Sequence, residues 1–246
     1  MLILSPMTKR LIRRLLARFG YVVRSVGDAR GVTGIDILHD VRVLLGEKRP
    51  LVLFDVGGNV GQTIVSFLEM FHEPRIYSFE PSPATFEVLR TAHGNDPRVR
   101  LENLALGNRE GVQPFQVTKD HNVNDSLLEP VWDAQAKSVP VQVSSLDRYC
   151  QQQHIESIDY LKIDTQGYDL KVLEGGRDLL AKKRIHAFSV ELIFSPMYKD
   201  QPSYIELLSF PEQFGYQLIG IYEQTYRHQR LNYANALFIS KEGSGP

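Results

Sequence analysis

LVLFDVGGNVGQT, residues Leu51–Thr63, decides the fold. It opens with a short apolar run, places Asp55 near the end of that run, and then turns through glycines. An apolar run of this length reads as a strand buried on both faces, Leu51–Val56, the situation of a parallel sheet. Gly57 and Gly61 accept positive φ and let other groups approach the backbone closely; Asn59 also tolerates the left-handed region. A helix follows, to about Phe71, and its first turn offers unpaired N–H groups and a positive dipole end. A ligand is therefore expected against the turn. The dinucleotide fingerprint G-x-G-x-x-G does not stand here, because from Gly57 it needs glycines where the chain has Asn59 and Gln62. The pattern is D-x-G-x-N-x-G, with Asp55 on the strand itself.

Further strands are expected at Arg75–Phe79, Arg98–Leu104, Ile158–Ile163 and Ile185–Leu192, with Val112–Val117 and Val139–Val143 as extra ones. A closing strand pair reads at Tyr216–Tyr222 and Ala234–Ile239, joined by a polar turn segment. Helices are expected over residues 34–47, from Ser82 as cap to about His93, and from Ser145 to about Gln153. Three more follow, over Tyr168–Leu173, Asp178–Lys182 and Ser203–Phe214. The polar stretch 118–138 is long for a compact domain and reads as a functional lid or a mobile loop. Alternating strands and helices with a terminal strand pair predict a doubly wound α/β sheet. Ligands of such sheets sit beyond the carboxyl ends of the strands, where this chain places Asp55, Glu80, Asn103, Asp164 and Glu191. Glu80 follows Asp55 by 25 positions, the interval at which an acidic residue reaches ribose hydroxyls in nucleotide-binding βαβ units. Asn103 or the backbone near Ala105 is placed to read adenine.

The 246 residues, 43% hydrophobic and 23% charged, suit one large α/β domain with a small addition. A net charge of −1 offers no bulk attraction to nucleic acid, and no basic stripe with interleaved aromatics runs through the body of the chain. The single cysteine, Cys150, excludes an internal disulfide and fits a reducing, cytoplasmic compartment. No apolar run is long enough to span a bilayer. The first thirty residues differ: Lys9, Arg10, Arg13, Arg14, Arg18, Arg24 and Arg30 face only Asp28. Leu11, Ile12, Leu15, Leu16 and Phe19 share one helical face. That helix is expected to pack its apolar face on the domain; the alternative is peripheral contact with an anionic membrane or a partner.

FDVGGNVGQT, FEPSPATFEVL, LALGNREG, SSLD, YLKIDTQGYDLKVLEGG and VEL, in that order between Leu51 and Leu192, resemble the FkbM family of methyltransferases. The resemblance implies a Rossmann-like class I methyltransferase fold, with a mostly parallel seven-stranded sheet and an antiparallel C-terminal strand. It implies S-adenosylmethionine (SAM) as methyl donor, S-adenosylhomocysteine (SAH) as product, and O-methylation of a sugar, glycan component or natural product. The chain then divides into an N-terminal helical extension (1–48), a SAM-binding methyltransferase domain (49–240) and a disordered tail (241–246). Expected cofactor contacts are Asp55, Gly57, Gly58, Asn59, Gly61, Glu80, Pro81, Ser82, Asn103, Ala105 and Asp164. Many relatives carry alanine at the position of Gly58, an exchange expected to be harmless. Many carry glutamates where this chain has Gln166 and Asp169, which argues against position 166 as base or metal ligand.

Transfer of a methyl group from a sulfonium to an unactivated alcohol calls for in-line alignment and a base or metal near the hydroxyl. Asp164, His121 and Glu191 are the candidates for that chemistry. Asp164 with Glu191 offers hard oxygens for Mg²⁺, although no metal site is expected. His72, His93, His154, His186 and His228 have no metal-ligand spacing. Trp132, Tyr198 and Tyr204 are candidates for a substrate pocket or for packing. Competing readings are a non-catalytic scaffold or regulator with this fold, and a nicotinamide-dependent oxidoreductase.

Overall fold

The computed structural model describes residues 6–19, 31–46, 50–118 and 124–241. Its elements in chain order are α1 (Pro6–Arg18), α2 (Ile37–Leu45), β1 (Val52–Val56), α3 (Gln62–Met70), β2 (Arg75–Phe79) and α4 (Pro83–His93). There follow β3 (Val99–Glu102), β4 (Ala105–Leu106), β5 (Gly111–Val117), β6 (Lys137–Ser144), α5 (Leu146–Gln152) and β7 (Ile158–Ile163). The chain closes with α6 (Asp169–Glu174), α7 (Arg177–Ala181), β8 (Ile185–Ile193), α8 (Tyr204–Ser209), β9 (Tyr216–Arg227) and β10 (Arg230–Ser240).

Seven strands form the main sheet in the order β3-β2-β1-β7-β8-β10-β9. β1, β2, β3, β7 and β8 run parallel, and β10 is antiparallel to both of its neighbours. Every residue of β1 is buried, as its continuous apolar run requires. Alternate side chains serve two cores. Val52, Phe54 and Val56 pack with α5, α6 and β8, and Phe54 lies against Tyr77, Phe79 and Tyr149. Leu53 faces the other way, onto Val41 of α2 and Ile64 and Phe67 of α3. The chain leaves β1 toward β2 on one side and returns to its other side as β7, so the switch point of the sheet opens between β1 and β7.

The extra strands expected at Val112–Val117 and Val139–Val143 are β5 and β6; with β4, which was not expected, they form a separate three-stranded sheet, β4-β6-β5. The single strand read at Arg98–Leu104 stops at Glu102, and Ala105–Leu106 joins β6 instead. Asn103 makes the break, donating its amide to the carbonyls of Glu80 (2.9 Å) and Pro81 (3.1 Å). The 118–138 stretch is no free lid where it is described. Ser126 pairs with Gln116 through both backbone bonds, and Pro130 bridges Tyr198. His121 lies outside the described residues, as do Arg24, Asp28, Arg30 and residues 242–246 of the tail.

Three local expectations are corrected. Ser82 occupies the cap position of α4 but makes no side-chain cap bond; its Oγ accepts from Thr85 Oγ1 instead. The closing strands run well past Tyr222 and start before Ala234, because His228 and Gln229, with φ of 49° and 62°, make a two-residue turn. Finally, the apolar face of the first helix is only partly covered: Leu11, Leu15 and Phe19, with Met7, are exposed, while Ile12 and Leu16 are half-buried. No helix among the described residues is long and apolar enough to cross a membrane.

Candidate active site

The β1–α3 turn is fixed from within. Gly57 has φ of 90°, and a Cβ there would stand 2.0 Å from the carbonyl oxygen of Asp164, so only glycine lets β1 meet the end of β7. Its N–H and that of Gly58 both donate to Phe79 O (3.0 and 2.9 Å), Asn59 N–H donates to Glu80 Oε2 (2.9 Å), and Gly61 N–H to Gly58 O (3.0 Å). These amides are bonded within the protein, unlike a turn that cradles phosphate with its N–H groups. Asn59 takes the left-handed conformation (φ 46°), and Gly61 (φ 99°) starts α3. The exchange of Gly58 for alanine is not neutral here, since its Cβ would stand 2.3 Å from Ser78 Oγ.

A cavity of about 340 Å³ opens at the carboxyl ends of β1, β2 and β7. Of the residues expected at the cofactor, Gly57, Gly58, Asn59, Glu80, Pro81, Ala105 and Asp164 line it. Asp55, Gly61, Ser82 and Asn103 are not among the lining residues; they hold those that are. Asp55 is fully buried, taking a hydrogen bond from Ser78 Oγ (3.0 Å) and an ion pair from Lys162 Nζ (3.6 Å). Asn103 spends its amide on the β2–α4 loop. Lining residues missed from sequence include Lys162, Gln166 and Asp125, with Leu104, Leu106, Phe115 and Leu127 as an apolar wall.

Glu80 accepts from Ser82 N–H at Oε1 (2.8 Å) and from Asn59 N–H at Oε2 (2.9 Å). Burial outweighs those two bonds and pushes its pKa up to about 7. Two more acceptors on the cavity wall, Asn59 Oδ1 and Asp125 Oδ2, are buried without a hydrogen-bond partner among the described residues. The other oxygen of Asp125 takes Thr118 N–H (2.8 Å) and Oγ1 (3.1 Å).

Beyond β7, Lys162 Nζ also donates to Asp164 Oδ2 (3.2 Å). Burial opposes the charge on Lys162, but Asp164 and Asp55 outweigh it and keep the ammonium protonated. Gln166, itself left-handed at φ 53°, donates its amide to Asp164 Oδ1 (3.1 Å) and Glu191 Oε2 (3.2 Å), and accepts from Tyr198 O–H (3.3 Å). A glutamate at 166 has no such donors, so the glutamine suits a position between two carboxylates. Burial, with Asp164 and Asp169 close by, raises Glu191 well above the usual carboxylate range. Asp169 is raised to about 6 by burial, against the hydrogen bond from Thr165 Oγ1 (2.7 Å). Among the described residues, no group of three or more His, Cys, Asp or Glu stands where it would hold a metal ion.

The donor set fits SAM. The cofactor's sulfonium, ammonium, ribose hydroxyls and adenine amine call for acceptors, which the cavity offers in Glu80, Asn59 Oδ1, Asp125 Oδ2 and Asp164 beside an apolar wall; its carboxylate calls for a cation, and Lys162 lines the same space.

A family model described as the methyltransferase FkbM domain matches residues 55–218. The chain belongs to the FkbM methyltransferase family. Its methyl donor is SAM, as that membership carries. The 2-O-methyltransferase NoeI of Sinorhizobium fredii (strain NBRC 101917 / NGR234) is 29% identical over 160 residues, 60% of this chain. The match spans 66% of that relative, just under two thirds of its length. Among solved structures, the METTL16 MTase domain superposes with a TM-score of 0.50 at 12% identity, covering 96% of this chain and 80% of that one. Precorrin-6y C5,15-methyltransferase from Geobacter metallireducens GS-15 gives 0.46 at 12% identity, over 83% and 87%. The likeness to METTL16 concerns the fold: the seven-stranded, mostly parallel sheet of class I methyltransferases.

Proposed function

We propose that this chain transfers a methyl group from SAM to a hydroxyl of a sugar, glycan component or other small natural product. The observation that carries the reading is the polarity of the cavity. The turn amides that would bind pyrophosphate are spent on Phe79, Glu80 and Gly58, while acceptors without a partner among the described residues line the wall. Oxygen as the target is supported by the relative named a 2-O-methyltransferase.

When bound, SAM supplies an electrophilic methyl on a positively charged sulfur. In the transfer a C–O bond would replace the C–S bond, with SAH as the leaving group, so the residues of this chain would have to take the hydroxyl proton. Glu80 would receive the ribose hydroxyls, and Pro81, Ala105 and the apolar wall would flank the base. Asn59 Oδ1 and Asp125 Oδ2 would receive the cofactor's N–H donors. Asp164, fixed at one oxygen by Lys162 and at the other by Gln166, orients the acceptor hydroxyl and takes its proton on a carboxylate oxygen. Glu191, coupled through the Gln166 amide, stores a proton behind it.

The test is thermal unfolding with SAH or NADH in excess. SAH at a hundred times its dissociation constant adds about 2.7 kcal/mol, a rise on the order of 5–10 °C for a domain this size. A rise with NADH alone would return the site to a nicotinamide enzyme, and none with either would favour a non-catalytic scaffold.

The N-terminal helix supports a finer statement about partners. α1 carries Lys9, Arg10, Arg13, Arg14 and Arg18 with no acidic residue, and its exposed Met7, Leu11 and Leu15 are uncovered by the domain. That combination suits the surface of an anionic bilayer.

A further inference from the structure

The cofactor cavity is lopsided in charge. Its lining carries the carboxylates of Glu80, Asp125 and Asp164, and Lys162 is its one cationic side chain among the described residues. The charge of Asp125 adds to the burial that raises Glu80, so the bank at the end of β2 gathers acceptors and has no cation. Lys162 stands two strands away, on β7, where its ion pairs reach Asp55 of β1 and Asp164. The space therefore suits a ligand with donors at one end and an anion at the other.

The ammonium is held but not saturated. Its nitrogen lies 3.6 Å from Asp55 Oδ1 and 3.2 Å from Asp164 Oδ2, whereas a charge-assisted N–H···O bond closes to about 2.7–2.9 Å. The longer contact is an ion pair without a hydrogen bond, since Asp55 Oδ1 is buried with no hydrogen-bond partner among the described residues. A lysine has three N–H donors, and among the described residues only Asp164 accepts one of them. Lys162 sits between the buried Leu161 and Ile163, so the sheet fixes where its charge is presented. A carboxylate entering a space that already holds three acids would lose hydration and meet repulsion unless a cation received it. The first turn of α3, which reaches the cavity through Gln62 and Thr63, offers neutral donors only.

We infer that Lys162 takes the carboxylate at the amino-acid end of the cofactor, and so separates SAM from the same molecule without that carboxylate. The inference rests on the methyltransferase reading and gives the cofactor a direction. Adenosine lies toward Glu80 and Asp125, the amino-acid end lies at the seam of β1 and β7, and the sulfur lies between. In a decarboxylated cofactor the ammonium would face Lys162 with no anion between them, and the two like charges would repel.

Calorimetry on the full-length protein with SAH and with decarboxylated SAH, at a pH where Glu80 is ionised, tests this. The two ligands share the adenosine and the ammonium and differ in the carboxylate alone. The unaltered protein should bind SAH roughly tenfold to a hundredfold more tightly, the worth of one charged hydrogen bond. Lys162→Met should weaken SAH by a comparable factor, while decarboxylated SAH should bind as well as before or better. Lys162→Gln, which keeps a neutral donor toward Asp164, should give the same pattern and serves where Lys162→Met does not fold. A merely structural lysine would weaken both ligands by one factor, and that result would overturn the inference. Equal affinity of the unaltered protein for the two ligands would also overturn it, as would unchanged SAH affinity in the variants, which would give the carboxylate to the start of α3. Failure of SAH to bind the unaltered protein would instead overturn the methyltransferase reading beneath it.

Discussion

Glu80 has both oxygens on backbone N–H groups and is still pushed to about 7 by burial. Ribose hydroxyls need its ionised form as acceptor, so apparent SAH affinity should fall roughly tenfold per pH unit below 7 and level off above it. Calorimetry across pH 5.5–8.5 checks this, and Glu80→Ala should cost about 2–3 kcal/mol of SAH binding and remove the pH dependence. Asp164→Asn keeps the shape but cannot take a proton. Its single-turnover rate should drop on the order of 10²–10⁴-fold while SAH affinity changes little. An unchanged rate would mean that the proton leaves by another route. Sequence reading found these two residues because each ends a strand. It put Asp55 in the same class, yet that carboxylate lies beneath the turn, since position on a buried strand does not say whether a side chain faces ligand or core. Lys162 carried a signal that went unused: a lysine inside the apolar run YLKI must find acidic partners, and it has two.

Elements were readable where periodicity was long and the stop signals chemical. β1, β2 and β7 lie within a residue of expectation, and Ser203 with Glu206 forms the capping box that opens α8. The extra strands β5 and β6 were readable, but β4 was hidden because it has only two residues, and the hairpin's length because its turn uses His228-Gln229 where Asn-Gly is the usual signal. Packing within the β1 turn also escapes a pattern. Gly58→Ala should destabilise the fold by about 1–3 kcal/mol in denaturant titrations, through overpacking on Ser78. Ser78→Ala in the same chain should make the pair cost less than the sum of the single changes. For α1, vesicles rich in phosphatidylserine should sediment the protein at low salt and release it at high salt. Deleting the first nineteen residues should abolish the effect; equal pelleting without them would end the membrane assignment.

Across the whole molecule, burial raises a set of acids in one direction. Glu80 moves from 4.5 to about 7 and Asp169 from 3.8 to about 6, and Glu191 is raised as well. The folded chain therefore binds more protons than the unfolded chain between those limits. The stability these groups contribute is complete below about pH 4 and is lost as pH rises through 6 to 7. From Glu80 alone the span is on the order of 3 kcal/mol, so Glu80→Gln should flatten the slope of unfolding free energy between pH 5 and 8. The central seam of the sheet has another consequence. Val52 N–H is held by Asp159 at 2.7 Å across 107 positions of sequence, and β1 pairs with β7 along the same line. Glu80 and the glycine turn stand on one bank of that seam and Asp164 and Gln166 on the other. During synthesis, the N-terminal bank emerges long before its counterpart, so the cofactor site comes into being only once β7 has left the ribosome. Cofactor capture thus marks the completion of the sheet's longest-range pairing, and a nascent chain halted before Ile158 is expected to be blind to SAH.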